Sequence, residues 1–308
     1  MIPFRLDLRA KSIILKLIAE GAAGLKKLNI QHFLGGVFLT LLGIGLVAPF
    51  TFLELQTKQK SDLATTPVTP EITKKIVKKI EQPLHDVNLP NFAKIRDVKE
   101  KKRRFFAFIK PAVLAENKKI LSTRAEVERL ITQLTLEQPF SDDEHAYVEN
   151  LVKKYKVSNK SSLLKQLYDL QFKIDIIPPA LVLVQAANES AWGTSRFARV
   201  GLNFFGVWCY RKGCGMVPGS RNSGANHEVA AYSSVSEGVE RYLHNINTHR
   251  AYKVFRSIRS QLREQSQPLA AEILATGLTS YSERGTDYVL ELTEMIRHNR
   301  RYFGFNSQ

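Results

Sequence analysis

The stretch PPALVLVQAANESAWG, residues 178–193, decides the reading of this chain. Two prolines open it, and proline suits the first turn of a helix, where its missing N–H has no intrahelical partner. From Ala180 the run is apolar on almost every side until Gln185, Asn188 and Glu189. A helix apolar all round is an interior helix, so Glu189 stands at the end of a buried rod. Burial disfavours the charged carboxylate, and the negative end of the helix dipole acts in the same direction. A glutamate that keeps its proton near neutral pH is what general acid catalysis requires. The competing reading is a capping glutamate turned out to solvent.

Upstream of this helix, IRDVKEKKRRFFAFIKPAVLAENKKILSTRAEVERLITQL carries apolar residues every three or four positions, with Pro111 expected to start or kink a helix. Ser141-Asp142-Asp143-Glu144 is a helix N-terminal signature, predicting a helix to about Tyr155. Residues 161–171 are amphipathic again. Downstream, residues 203–234 are rich in Gly, Asn and aromatics and read as a small β-hairpin lobe, with strands near 204–210 and 228–232. Helices return at 235–245, 268–275 and 287–298. The expected class is mainly α with a small β lobe (α+β).

The chain has 308 residues and a formal net charge of +16. Such a balance suits an anionic partner. No nucleic-acid-binding motif is present, and runs such as KEKKRR at 99–104 read as a solvated face, so no nucleic acid is expected as a partner. Residues 28–53 contain no Asp, Glu, Lys or Arg, and residues 32–53 are long enough to cross a bilayer as one helix. Basic residues precede this span (Arg5, Arg9, Lys11, Lys16, Lys26, Lys27) more densely than they follow it (Lys58, Lys60). The positive-inside rule then puts residues 1–31 in the cytoplasm and the remainder outside. The long basic lead without a small-x-small cleavage site favours an uncleaved anchor over a signal peptide. Residues 54–90, interrupted by TTPVTP, read as a flexible tether. Residues 91–140 read as a helical lead-in, and 141–308 as the functional domain.

Two cysteines, Cys209 and Cys214, in an exported segment permit a disulfide, with two reduced thiols as the alternative. A structural zinc site would need two more ligands, so no metal is expected. No P-loop, dinucleotide-binding glycine motif or HExxH is present, and no cofactor is expected.

Three blocks in order, QAANESAWGTSRFA (185–198), GLNFFG (201–206) and WCYRKGCGMVP (208–218), resemble the bacterial glucosaminidase family of lysozyme-like enzymes, which cut peptidoglycan glycan strands. The resemblance runs from about residue 91 to 305. It implies a lysozyme-like plan and hydrolysis of the β-1,4 bond after N-acetylglucosamine, with Glu189 as the acid. A lytic transglycosylase and a non-catalytic peptidoglycan-binding module are the rival readings. In that family a second carboxylate comes from the β lobe; Glu228 is the candidate here, with a single-acid mechanism as the alternative. The family's late tyrosine block resembles YSERGTDYVLEL, which offers Tyr288, and Tyr281 beside it. Gln185, Trp192, Asn203, Phe204, Phe205, Trp208 and Tyr281 are the expected sugar-binding residues. The implied partners are peptidoglycan strands and, through residues 32–53, the bacterial inner membrane, with the functional domain in the periplasm. The sequence names no protein partner.

Overall fold

A computed structural model describes residues 81–219, 224 and 226–304. The basic lead, the expected span and the tether to residue 80 lie outside the described residues. Among the described residues no helix is long and apolar enough to cross a membrane.

The spine is α1 (Val98–Thr135), capped by Asp97, whose side chain accepts the Glu100 amide at 2.6 Å. Pro111 lies inside this helix rather than at its start. The buried positions of α1 fall in two groups at helical spacing. Phe105, Phe106, Ile109, Ala112 and Val113 face the main core. Val127, Leu130 and Ile131 face a second cluster built with α2 (Asp142–Lys154) and α3 (Leu163–Lys173). The expected capping box starts α2: Ser141 Oγ accepts the Glu144 amide and the Glu144 carboxylate accepts the Ser141 amide.

In α4 (Pro179–Glu189) every residue from Leu181 to Ala187 is buried. It packs against α1, α8 (Ala271–Ala275) and α9 (Thr286–Phe303). The connection into α4 is fixed by paired charge. Arg259, wholly buried on α7 (Lys253–Glu264), donates to the carbonyls of Lys173 and Asp175 at 3.0 and 2.9 Å. Asp175 accepts two bonds from Arg263 at 2.9 and 3.0 Å, and Asn117 donates to Ile177 O at 2.8 Å. Burial works against the Asp175 charge, but Arg263, Arg259 and Arg124 more than offset it and hold its pKa below the ordinary value.

After α4 come α5 (Arg196–Gly201) and a three-stranded antiparallel sheet. Its order is β1 (Trp208–Cys209), β3 (Glu228–Ala230), β2 (Gly215–Met216), with Cys209 opposite Glu228 and Gly215 opposite Ala230. The strands are shorter than expected. Phe204 and Phe205 precede the sheet, in a loop where Asn203 Oδ1 accepts the Phe205 and Val207 amides. Gly215 is required where it stands, since a Cβ there would sit 2.0 Å from Val229 O. Then α6 (Val235–Thr248) leads to α7, α8 and α9. The class is α+β, as expected from the sequence.

The body begins earlier than residue 91. Leu84 N donates to Val200 O at 2.7 Å, and Glu81 accepts two bonds from Arg196 at 2.5 and 2.6 Å. Residues 81–90, expected as the end of the tether, are therefore docked on α5.

Candidate functional site

The site forms where α4 ends. Ser190 closes the helix: its Oγ donates to Ala186 O at 2.6 Å and accepts the Gly193 amide at 2.8 Å. The chain then passes through three left-handed residues, Ala191 (φ 48°), Trp192 (φ 58°) and Gly193 (φ 75°). This turn swings Trp192 against Phe105 and Phe106, with ring centroids 5.7 and 5.3 Å away, and seats Gly193 on Phe92. The Glu-Ser-x-Trp-Gly string is thus a single stop-and-turn device.

Glu189 projects half-buried from that end, and its Oε1 accepts the Tyr288 hydroxyl at 2.9 Å. Burial pushes its pKa above the ordinary value of 4.5. The Tyr288 hydrogen bond opposes the shift, the Glu291 carboxylate adds to it and Arg284 opposes it.

Tyr288, in the first turn of α9, also accepts Gln185 Nε2 at 2.9 Å, and Gln185 Oε1 accepts the Tyr242 hydroxyl. Tyr281 stacks on Tyr288 (5.5 Å, 7°) and donates to Phe205 O at 2.8 Å. Phe205 stacks on Tyr242 at 4.1 Å. Tyr252 lies tilted against Tyr281 at 5.9 Å. Burial raises the pKa of all four phenols, so they stay neutral donors.

The structure brings together Glu189, Gln185, Phe205, Tyr281 and Tyr288 of the residues singled out from sequence, and adds Tyr242 and Tyr252. The expected substrate roles of Gln185, Asn203 and Phe204 do not fit their positions. Gln185 is fully buried with both ends of its amide engaged. Asn203 donates to Val207 O and Ala230 O, both at 2.9 Å, and accepts the Phe205 and Val207 amides, so it shapes the loop into the sheet. Phe204 is core, packed on Phe105 and Phe108. Trp192 is partly buried in the same aromatic cluster, with Lys102 Nζ 5.2 Å from its ring centre. Trp208 is 54% exposed and stacks on His227 at 4.3 Å.

Glu228, expected as the second carboxylate, is buried on β3 (5% exposed). Its Oε1 accepts the Gly213 amide at 3.0 Å and its Oε2 the Gly215 amide at 2.9 Å. It braces the loop closed by the Cys209–Cys214 disulfide. The two sulfurs and the Glu228 carboxylate lie within 4.8 Å of one another. Bonded to each other, the sulfurs lack the thiolates that a metal would take.

A cavity of about 820 Å³ lies away from Glu189, between α1, α3 and α7, and Arg124, Asp175, Arg259 and Arg263 line it. Those groups pair with one another or with backbone carbonyls, so they brace the fold.

The family model for mannosyl-glycoprotein endo-beta-N-acetylglucosaminidase matches residues 164–301, from α3 through α9, and so covers every site residue. The chain belongs to this glucosaminidase family. Within the family it is of the Bax type: it is 34% identical over 215 residues to Protein bax of Escherichia coli (strain K12), a match covering 70% of this chain and 75% of that protein. A second family model, EcoEI R protein C-terminal, matches residues 49–176 and stops before α4. No solved structure gives a significant match.

Proposed function

We propose that this chain is a peptidoglycan hydrolase cutting the β-1,4 bond after N-acetylglucosamine, with Glu189 as general acid. The observation that carries the reading is the environment of Glu189. It is a half-buried carboxyl at the end of an apolar helix, with its pKa raised and a neutral tyrosine bonded to one oxygen. Such a group keeps its proton to higher pH than an exposed glutamate does, and it delivers that proton to the oxygen of the departing sugar as the glycosidic bond breaks. Membership of the glucosaminidase family supports the choice of polymer. The exposed Trp208, with Arg211 and Lys212 close in sequence, offers an aromatic and cationic edge to an anionic glycan.

The second participant is not a carboxylate of the β lobe in this reading, because both Glu228 oxygens hold backbone amides. A single-acid mechanism follows. The substrate's own acetamido oxygen attacks the anomeric carbon as the glycosidic C–O bond breaks and the departing oxygen takes the Glu189 proton; water, giving a proton back to the Glu189 carboxylate, then opens the resulting ring. The same commitment of Glu228 favours one rival, a lytic transglycosylase, in which the sugar's 6-hydroxyl attacks instead of water. We further propose that residues 32–53 anchor the protein in the inner membrane and leave the folded body in the periplasm.

The test is digestion of purified peptidoglycan by the full chain and by Glu189→Gln, followed by borohydride reduction and mass spectrometry. Reduced N-acetylglucosamine ends, absent with the variant, are expected. Anhydro ends would reassign the enzyme to transglycosylation. Binding without released fragments would make the body a peptidoglycan-binding module.

A further inference from the structure

Tyr242 is wholly buried on α6 and sits behind Glu189, reaching it only through other side chains. Its hydroxyl begins a chain of three hydrogen bonds: Tyr242 to Gln185 Oε1, Gln185 Nε2 to Tyr288 Oη, and Tyr288 to Glu189 Oε1. The direction of the chain follows from donor chemistry. An ionised Glu189 only accepts, so Tyr288 must spend its one proton on it. Tyr288 then needs a donor behind it, so Gln185 turns its NH₂ that way and its carbonyl oxygen toward Tyr242. A carbonyl only accepts, so Tyr242 donates. When Glu189 takes up a proton, the reverse order would have Glu189 donate to Tyr288 and Tyr288 donate to Gln185. Reversal needs the buried amide to flip and turns its NH₂ toward the Tyr242 oxygen. The Tyr242 hydroxyl would then lose the acceptor it has now, inside a fully buried site.

We propose that Tyr242, acting through Gln185, is a positioning residue that fixes the direction of this chain. Tyr288 then always donates to Glu189 Oε1, and the acid's own proton is carried on Oε2, outside the chain and available to substrate. The proposal rests on Glu189 as the general acid for its kinetic consequence, but the orientation itself is measurable without turnover. The charged and titratable groups bearing on Glu189 are Tyr288 and Glu291 on α9, Arg284 in the turn before it, and Tyr242, Tyr252 and Tyr281 packed behind.

The experiment uses the full chain as wild type, Tyr242→Phe, Tyr288→Phe and the double variant. Phenylalanine keeps the ring that stacks on Phe205, and a thermal melt checks that each protein is folded. Infrared titration, with the Glu189→Gln spectrum subtracted, reads the Glu189 carboxyl directly. In Tyr242→Phe the amide is free to flip, Glu189 can donate to Tyr288, and the protonated form gains. The carboxyl then titrates at higher pH than in wild type. In the Tyr288→Phe background, adding Tyr242→Phe should shift the titration no further. On peptidoglycan, kcat at low pH should fall about five- to tenfold, the worth of one buried neutral hydrogen bond, with KM unchanged. The variant would be more protonated and yet slower, which loosened packing does not produce. An unshifted titration in folded Tyr242→Phe, or a shift that persists in the Tyr288→Phe background, overturns the proposal. If wild type releases no sugar, the infrared result decides the orientation, and only the reading of the chain as an enzyme falls.

Discussion

Replacing Gly193 by alanine tests whether the turn after Glu189 is held by packing as well as by backbone conformation. Gly193 has φ 75°, and a Cβ there would stand 2.5 Å from Phe92 Cδ2, 2.9 Å from Cε2 and 3.3 Å from Phe105 Cε2. Phe92 has little room to withdraw: it is 1% exposed and meets Phe105 and Phe108 edge-on at 5.4 and 6.0 Å. The left-handed conformation costs alanine about 1–2 kcal/mol. Forcing a methyl into a packed site adds about 1–3 kcal/mol. The sum is about 2–5 kcal/mol, or roughly 4–20 °C in Tm at ~2–4 °C per kcal/mol for a body of this size. Gly206 is the control, because its φ is 66° and nothing lies within 4 Å of a built Cβ. Gly206→Ala should cost only the conformational ~1–2 kcal/mol. Urea unfolding of both variants with a common m-value gives the comparison. Equal losses for the two glycines would refute the packing argument, and with it the claim that the Phe92–Phe105 cluster holds the turn carrying Glu189.

Three further outcomes follow from the charges. Glu189→Gln should raise thermal stability, because a group whose folded pKa is raised destabilises the fold once it is ionised. The gain should be full above the folded pKa and vanish below the ordinary value of 4.5, as a pH series of melting curves would show. Asp175→Asn leaves Arg259 and Arg263 without their buried counter-charge and should cost about 3–5 kcal/mol in urea unfolding. The Asp175 pKa is lowered in the fold, so its contribution is present above the ordinary 3.8 and lost as pH falls through the folded value. Glu228→Gln should keep peptidoglycan cleavage near wild type and lower stability by about 1–3 kcal/mol, since an amide has one accepting oxygen for the Gly213 and Gly215 N–H groups and its NH₂ can only donate. A hundredfold loss of rate in the folded variant would restore Glu228 to the chemistry.

The elements read correctly from sequence are those with strong local signals. The two prolines and the all-apolar run mark α4, and the Ser-Asp-Asp-Glu box marks α2. Missed were α5, six residues between the Glu189 turn and the β lobe where no element was expected, and α7. Phe255, Ile258 and Leu262 on α7 carry helical spacing, but the helix also buries Arg256 and Arg259, and arginine is the last residue whose burial a pattern would suggest. Pro111 is a local breaker that tertiary packing overrode: Ala112 and Val113 beside it are buried in the main core, which holds α1 continuous. In the site, Glu189 was legible from the family motif at 185–198, whereas Tyr288 came from its place at the start of a helix, because Glu283-Arg284-Gly285 break the spacing of the family's tyrosine block. Tyr242 was not, because its role depends on α4, α6 and α9 meeting, and sequence distance hides that: Tyr242 is 57 residues from Gln185, which is 103 from Tyr288. Asn203 and Phe204 were misassigned for a related reason. A polar or aromatic residue beside a site motif is equally suited to building the loop that the site rests on, and only the hydrogen-bond partners distinguish the two.

The turn that ends α4 also explains why so short a string can carry so much of the site. Ala191 and Trp192 both adopt positive φ without being glycine, a conformation that costs of order 1 kcal/mol or more for each. That cost is tolerated because three things over-determine the turn. Ser190 ties Ala186 O to the Gly193 amide, Trp192 N donates to Ala187 O at 2.8 Å, and the indole is packed between Phe105 and Phe106. The geometric consequence falls on Glu189. If the helix continued in right-handed turns past Glu189, the carboxyl would lie along a helix flank with backbone ahead of it. Breaking the helix at Ser190 makes it the last side chain of a buried rod, half-buried and desolvated where α4 meets α9. Gln185, one turn back on the same face of α4, reaches Tyr288 on α9, so the strained turn and the tyrosine chain both bear on the one carboxyl.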